Sequence, residues 1–195
     1  MIAQASATAT NNSALWIVVA IVVFAAAIVI AVLSRRQRSQ QLRRRFGPEY
    51  DRQVRTLKSQ SKAEAELSQR ERRHHDLHIK PLTPGARDRY LEEWKSVQSR
   101  FVDDPQAAIR DADRVLQNVM RDRGYPSDDF ITTTKDLSVE HADVLDNYRM
   151  AHAISQKNNA STEELRRAVI ACRSVFDRLV VSEPARDGEA AHERT

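Results

Sequence analysis

The sequence predicts an all-α protein: a single N-terminal transmembrane helix, a long basic juxtamembrane helix, then an antiparallel bundle of about four helices. Three observations predict it. Residues 14–33, ALWIVVAIVVFAAAIVIAVL, contain no charge, no Pro and no Gly. The chain of 195 residues holds only four Gly and six Pro, and Ala, Leu, Arg, Glu, Asp and Gln, mostly helix formers, dominate it. Beyond residue 80, apolar residues recur at spacings of three and four between capping residues and prolines.

The first element is the apolar run. As a helix it extends about 30 Å, the thickness of a bilayer's hydrocarbon core. A soluble core helix keeps a polar stripe, whereas this one is apolar all round. Residues 1–13, small and polar, read as a disordered tail. A cleaved signal peptide would need a basic n-region and a shorter apolar core, so the span is expected to stay attached. Cleavage after Ala31 or Ser34 is the alternative. Arg35, Arg36, Arg38, Arg43, Arg44 and Arg45 follow directly, while the N-terminal flank has no basic side chain. The positive-inside rule then predicts a plasma (inner) membrane protein with its N-terminus outside and its C-terminal body cytoplasmic. Trp16 falls at the outer end, where interfacial aromatics are found. Ala20, Ala27 and Ala31 share a face and would allow two spans to approach closely.

The neck, residues 34–80, carries 14 Lys/Arg against 6 Asp/Glu, whereas residues 81–195 carry 17 against 21. The protein is thus a neutral anchor, a basic neck and a mildly acidic body. The six arginines form a lipid-facing basic cluster expected to attract anionic headgroups, at about 1 kcal/mol each near the surface. Gly47-Pro48 interrupts the helix. Glu49 to about His75 reads as one long helix whose apolar stripe, Tyr50, Val54 and Leu57, fades into a solvated stalk. His74 and His78 at i, i+4 would share a helical face, but two imidazoles beside Arg72 and Arg73 make a poor metal site.

The body is expected over residues 81–181. Thr83-Pro84 starts a helix with Tyr90, Trp94, Val97 and Phe101 on one face. Asp103-Asp104-Pro105 starts the next, which carries Ala108, Ile109, Ala112, Val115, Leu116, Val119 and Met120 and stops at Gly124. Ser127 to Asp136 reads as a short helix or turn with Phe130 and Ile131 buried. Ser138 is expected to cap a long helix burying His141, Val144, Leu145, Tyr148, Ala151, His152 and Ser155. His141 and His152 on that face read as core histidines, with acid–base use as the alternative. Ser161-x-x-Glu164 is a capping box before Leu165, Ala168, Val169, Cys172, Val175, Phe176 and Leu179. Cys172, the only cysteine, reads as a packed thiol. Residues 182–195 read as a disordered tail.

No P-loop, dinucleotide fingerprint, HExxH, GxSxG or CxxC occurs. Catalytic, cofactor-binding and metal residues are therefore not expected. Segments LRRRFGPEYDR (42–52), FVDDP (101–105) and RGYP (123–126), with PLTPGARDRYLEEWKSVQSRF and DLSVEHADVLDNYRMAHAI around them, resemble a family of uncharacterised bacterial single-pass membrane proteins. That resemblance implies a bacterial membrane protein and carries over no functional residue. The function these features predict is a membrane-anchored, cytoplasmic-facing helical interaction or scaffold module, binding a protein partner or itself. The alternatives are a basic neck binding anionic lipid or nucleic acid, and an enzyme with an unrecognised site in the bundle. Nucleic acid ranks low because RRRF lacks interleaved aromatics and a recognition motif.

Overall fold

The computed structural model describes residues 7–126 and 129–181. The expectations for residues 1–6, 127–128 and 182–195 lie outside the described residues. The described residues are 82% helical, with no strand among them. It divides into two compact units between Arg44 and Arg45.

The first unit is built on α1 (Ala7–Phe46), whose last two residues belong to the second unit. Residues 7–13, expected to be disordered, form its first turns. Every residue from Trp16 to Leu33 is exposed. The helix is long and apolar enough to cross a membrane, a property it shares with signal sequences.

The second unit begins where Gly47, at φ 47°, turns the chain and Pro48 opens α2 (Pro48–Leu57). The long neck helix expected from Glu49 to His75 is broken. Lys58 adopts a left-handed conformation, φ 49°, and Ser59 caps α3 (Gln60–Asp76) by accepting from the Lys62 amide. A serine side chain that satisfies a free helix N–H competes with continuation of the preceding helix. Nor is α3 a solvated stalk. It buries Ala63, Leu67, Ser68, Arg70 and His74 and packs on α2 and α6. Polar residues supply much of this face because ion pairs accompany them inside. Arg70 meets Glu49 at 3.0 Å, and Arg73 meets the fully buried Asp136 at 3.2 Å. Since α3 ends at Asp76, His78 lies beyond it and shares no helical face with His74.

The bundle consists of α4 (Pro84–Asp103), α5 (Pro105–Asp122), α7 (Leu145–Ser155) and α8 (Thr162–Phe176). Thr83 and Asp104 cap α4 and α5 by accepting from the Ala86 and Ala107 amides, each one residue before the proline. The seven apolar positions predicted for α5 are all buried, and α5 packs against α4, α7 and α8. Trp94 stacks on Phe176 with ring centroids 4.7 Å apart. Gly124 ends this segment at φ 97°; a Cβ there would come 2.5 Å from the His78 carbonyl oxygen. A π-helical turn, Asp177–Val181, follows α8, and buried Arg123 donates to its Leu179 carbonyl at 3.0 Å.

Two segments differ from expectation. In α6 (Phe130–Leu137) Asp129 caps the helix, Phe130 is half-buried, and Ile131 is 64% exposed rather than buried. Ser138 closes α6 instead of opening the next helix; its hydroxyl donates to the Lys135 carbonyl at 2.5 Å. Consequently α7 starts six residues later than expected, with Val144 rather than Ser138 at its cap position, and His141 sits in the preceding turn, off the helix that carries His152.

Candidate functional site

Chemistry-bearing side chains concentrate around α6, where two cavities share Phe130 in their walls. The larger is an open cleft of about 400 Å³ between α2, α3, α6 and α7. Arg52, Gln53 and Thr56 come from α2 and Arg70 from α3. Phe130, Ile131, Thr134 and Lys135 come from α6, and Arg149 from α7. Four cations and no carboxylate line it.

Beneath the cleft, Glu49 is 3% exposed in the first turn of α2, held there by the Gly47-Pro48 break. Its Oε1 accepts from Arg70 Nη1 and Arg149 Nη2, both at 3.0 Å, and from Gln53 at 2.8 Å. Its Oε2 accepts from Arg149 Nη1 at 2.8 Å. Burial pushes this carboxyl up, yet the hydrogen bonds from Arg149, Gln53 and Arg70, with the Arg149 charge, hold it below the ordinary range. One carboxylate thereby ties α2 to α3 and α7 and stiffens two guanidinium groups. The other two cations have looser partners. Arg52 meets Asp146 at 3.1 Å on the surface, and Lys135 meets Glu66 at 3.4 Å.

The second cavity, about 170 Å³, is lined by Gln117, Met120, Phe130, Thr133, Tyr148 and His152. Asp113 interrupts the apolar stripe of α5 and lies behind His152. Its Oδ2 is 2.9 Å from His152 Nδ1, and accepts from Ser155 Oγ at 2.9 Å and Gln117 Nε2 at 3.2 Å. The imidazole lies flat on Phe130, centroids 3.9 Å apart at 11°. A proton on Nδ1, the tautomer a carboxylate selects, leaves Nε2 as the basic nitrogen. Burial, aided by the Asp113 charge, pushes the Tyr148 hydroxyl well above its ordinary range, so it stays neutral. The arrangement can accept and return a proton.

The histidines are otherwise dispersed. His141 is buried in its turn and does not line this cavity. Burial pulls the His74 imidazole below its ordinary range, against the pull of Glu140 3.9 Å away. Cys172 is fully buried, and burial followed by the Asp113 charge pushes its thiol up to about 12.

Of the six arginines predicted to face lipid, Arg35, Arg36, Arg38, Arg43 and Arg44 are exposed on the first unit. Arg45 belongs to the second and already has protein partners: Glu71 at 3.2 Å and the Val139 carbonyl at 3.3 Å. The sequence alone does not mark Glu49, Arg70, Lys135, Arg149 or Asp113 as site residues. A signal existed for two of them. Asp113 falls on the three-four stripe with Ile109, Ala112 and Leu116, and Arg70 follows Ala63 and Leu67 on the buried face of α3. No family model, curated protein or solved structure matches the chain.

Proposed function

We propose that this protein is a single-pass membrane protein whose helical unit acts as an interaction module on the cytoplasmic side. The observation that carries the reading is α1: an exposed, wholly apolar stretch followed at once by arginines. Positive residues flanking only its C-terminal end favour retention of that end in the cytoplasm. Arg35, Arg36, Arg38, Arg43 and Arg44 attract anionic headgroups there, while the helical unit carries the recognition surface. The family resemblance of its sequence segments agrees with a bacterial inner-membrane setting.

The test is the full chain with a C-terminal reporter, expressed in bacteria. The reading expects a carbonate-resistant membrane pellet, an intact N-terminus by mass spectrometry, a fluorescent C-terminal GFP and an inactive C-terminal alkaline phosphatase. A soluble chain beginning after Ala31 or Ser34, or an active phosphatase fusion, would overturn it. For the interaction role, full-length protein in nanodiscs should self-associate or reproducibly capture the same partner from its own membranes. A monomer that captures nothing defeats that part.

A second reading is an enzyme in which His152 Nε2 serves as general base. It rests on the Asp113–His152 pair opening into a cavity. A hydrolase substrate panel would show turnover lost in both His152→Gln and Asp113→Asn; no turnover by the wild type removes the reading.

A further inference from the structure

We infer that the cleft between α2, α3, α6 and α7 binds a phosphate monoester carried on a small apolar body. The inference concerns the helical unit alone and stands whichever way α1 is placed. Four cations line the cleft and no carboxylate does. Their ion-pair partners are Glu49, Glu66 and Asp146, and the charges of Asp136 and Asp129 also reach Lys135, so the excess of cations is confined to the wall of the cleft itself.

The cations fall into two classes. Arg70 and Arg149 form a stiff floor: Arg70 has only 6% of its side chain exposed, and both are locked on Glu49. Nη2 of Arg70 has no hydrogen-bond partner among the described residues, although Nε and Nη1 have theirs. A guanidinium nitrogen held in place with unused N–H groups, in a cleft wall, is a preorganised donor to an oxyanion. Arg52 and Lys135 form a movable rim. Their side chains are close to half exposed, and surface pairs of this kind exchange partners readily.

Charge decides between oxyanions. A carboxylate could engage only the floor or the rim at full strength, whereas a phosphate monoester carries close to two negative charges at neutral pH and three acceptor oxygens. Phe130 and the exposed Ile131 form an apolar wall beside the cations, a place for the body that bears the phosphate. A volume of about 400 Å³ is within the range of small-ligand sites.

The test is titration calorimetry on the full chain in neutral detergent micelles, with phenyl phosphate, inorganic phosphate and benzoate as probes. Phenyl phosphate is expected to bind below millimolar concentration, with inorganic phosphate and benzoate each about tenfold weaker or more. Arg52→Gln/Lys135→Gln, one exposed and one half-buried position, should leave the helical circular dichroism unchanged and weaken phenyl phosphate about tenfold. Arg110→Gln, an exposed arginine outside the cleft, should leave it unchanged. Absence of phenyl phosphate binding, or binding indifferent to the rim variant, would overturn the site. Benzoate binding as tightly as phenyl phosphate would overturn the choice of a dianion, and equal affinity for inorganic phosphate would overturn the apolar body.

Discussion

Replacing Glu49 by Gln should destabilise the helical unit more than any other isosteric change of a charged residue in it. Glu49 is almost wholly buried and accepts four hydrogen bonds, three of them from Arg70 and Arg149. The amide keeps one acceptor oxygen but turns its NH2 toward a guanidinium, so donor meets donor and the buried carboxylate that both guanidinium groups bond is gone. Removing one member of a buried ion pair costs about 3–5 kcal/mol. Arg70 keeps Glu66 and Arg149 keeps the exposed Asp146, which places this case at the lower end, about 3 kcal/mol. For a unit of this size that is a fall in melting temperature of roughly 10 °C. The pH dependence has a definite sign. The folded carboxyl is held below its unfolded value of 4.5, so its contribution is complete above that pH and is lost as pH falls through the folded pKa. Glu49→Gln should therefore remove part of the acid limb of the stability curve. Thermal melts of the full chain in micelles, followed by far-ultraviolet circular dichroism from neutral pH to pH 3, read both effects. A variant within about 0.5 kcal/mol of wild type, the range of ordinary surface changes, would refute the claim that this carboxylate holds the two arginines. The companion Glu49→Leu/Arg70→Met/Arg149→Met, which removes all three charges, should lie much closer to wild type than Glu49→Gln does.

Trp94→Ala should cost about 3–5 kcal/mol in chemical denaturation, because it empties a fully buried site stacked on Phe176. In a Trp16→Phe background, the remaining Trp94 emission should be blue-shifted and shift red on unfolding. Gly124→Ala should lose more than about 1 kcal/mol, since φ is 97° and the new Cβ would press on the His78 carbonyl. Cys172 should be inert to a disulfide reagent at pH 8 in the folded protein and react on denaturation, its thiol being buried and raised to about 12. Reaction at native pH 8 would show the bundle opening locally.

The legible part of the fold was the part governed by local chemistry. Helix starts at Thr83, Asp104 and Ser161 follow from a side-chain oxygen placed to accept an orphan amide, and the apolar stripes of α5 and α8 follow from the 3.6-residue repeat. Where two local signals compete, the boundary differs from the expected one. Ser59 opened a helix inside what reads as one, and Ser138 ended a helix it was expected to begin.

The site residues were illegible for a different reason. Glu49 and Arg149 are 100 positions apart, and Asp113 and His152 are 39 apart. Taken singly, Glu49, Arg149 and Asp113 belong to residue types that normally face water, and of the four only His152 was expected inside. The all-α class, the apolar helix and the apolar faces of the bundle helices can be read from residue order, because they depend on spacing along one helix. That the neck helix α3 packs into the unit, that Arg45 is already paired, and that four cations line one cleft emerges only in the folded unit. Those outcomes depend on which distant charges meet where water is excluded, and no local pattern encodes that.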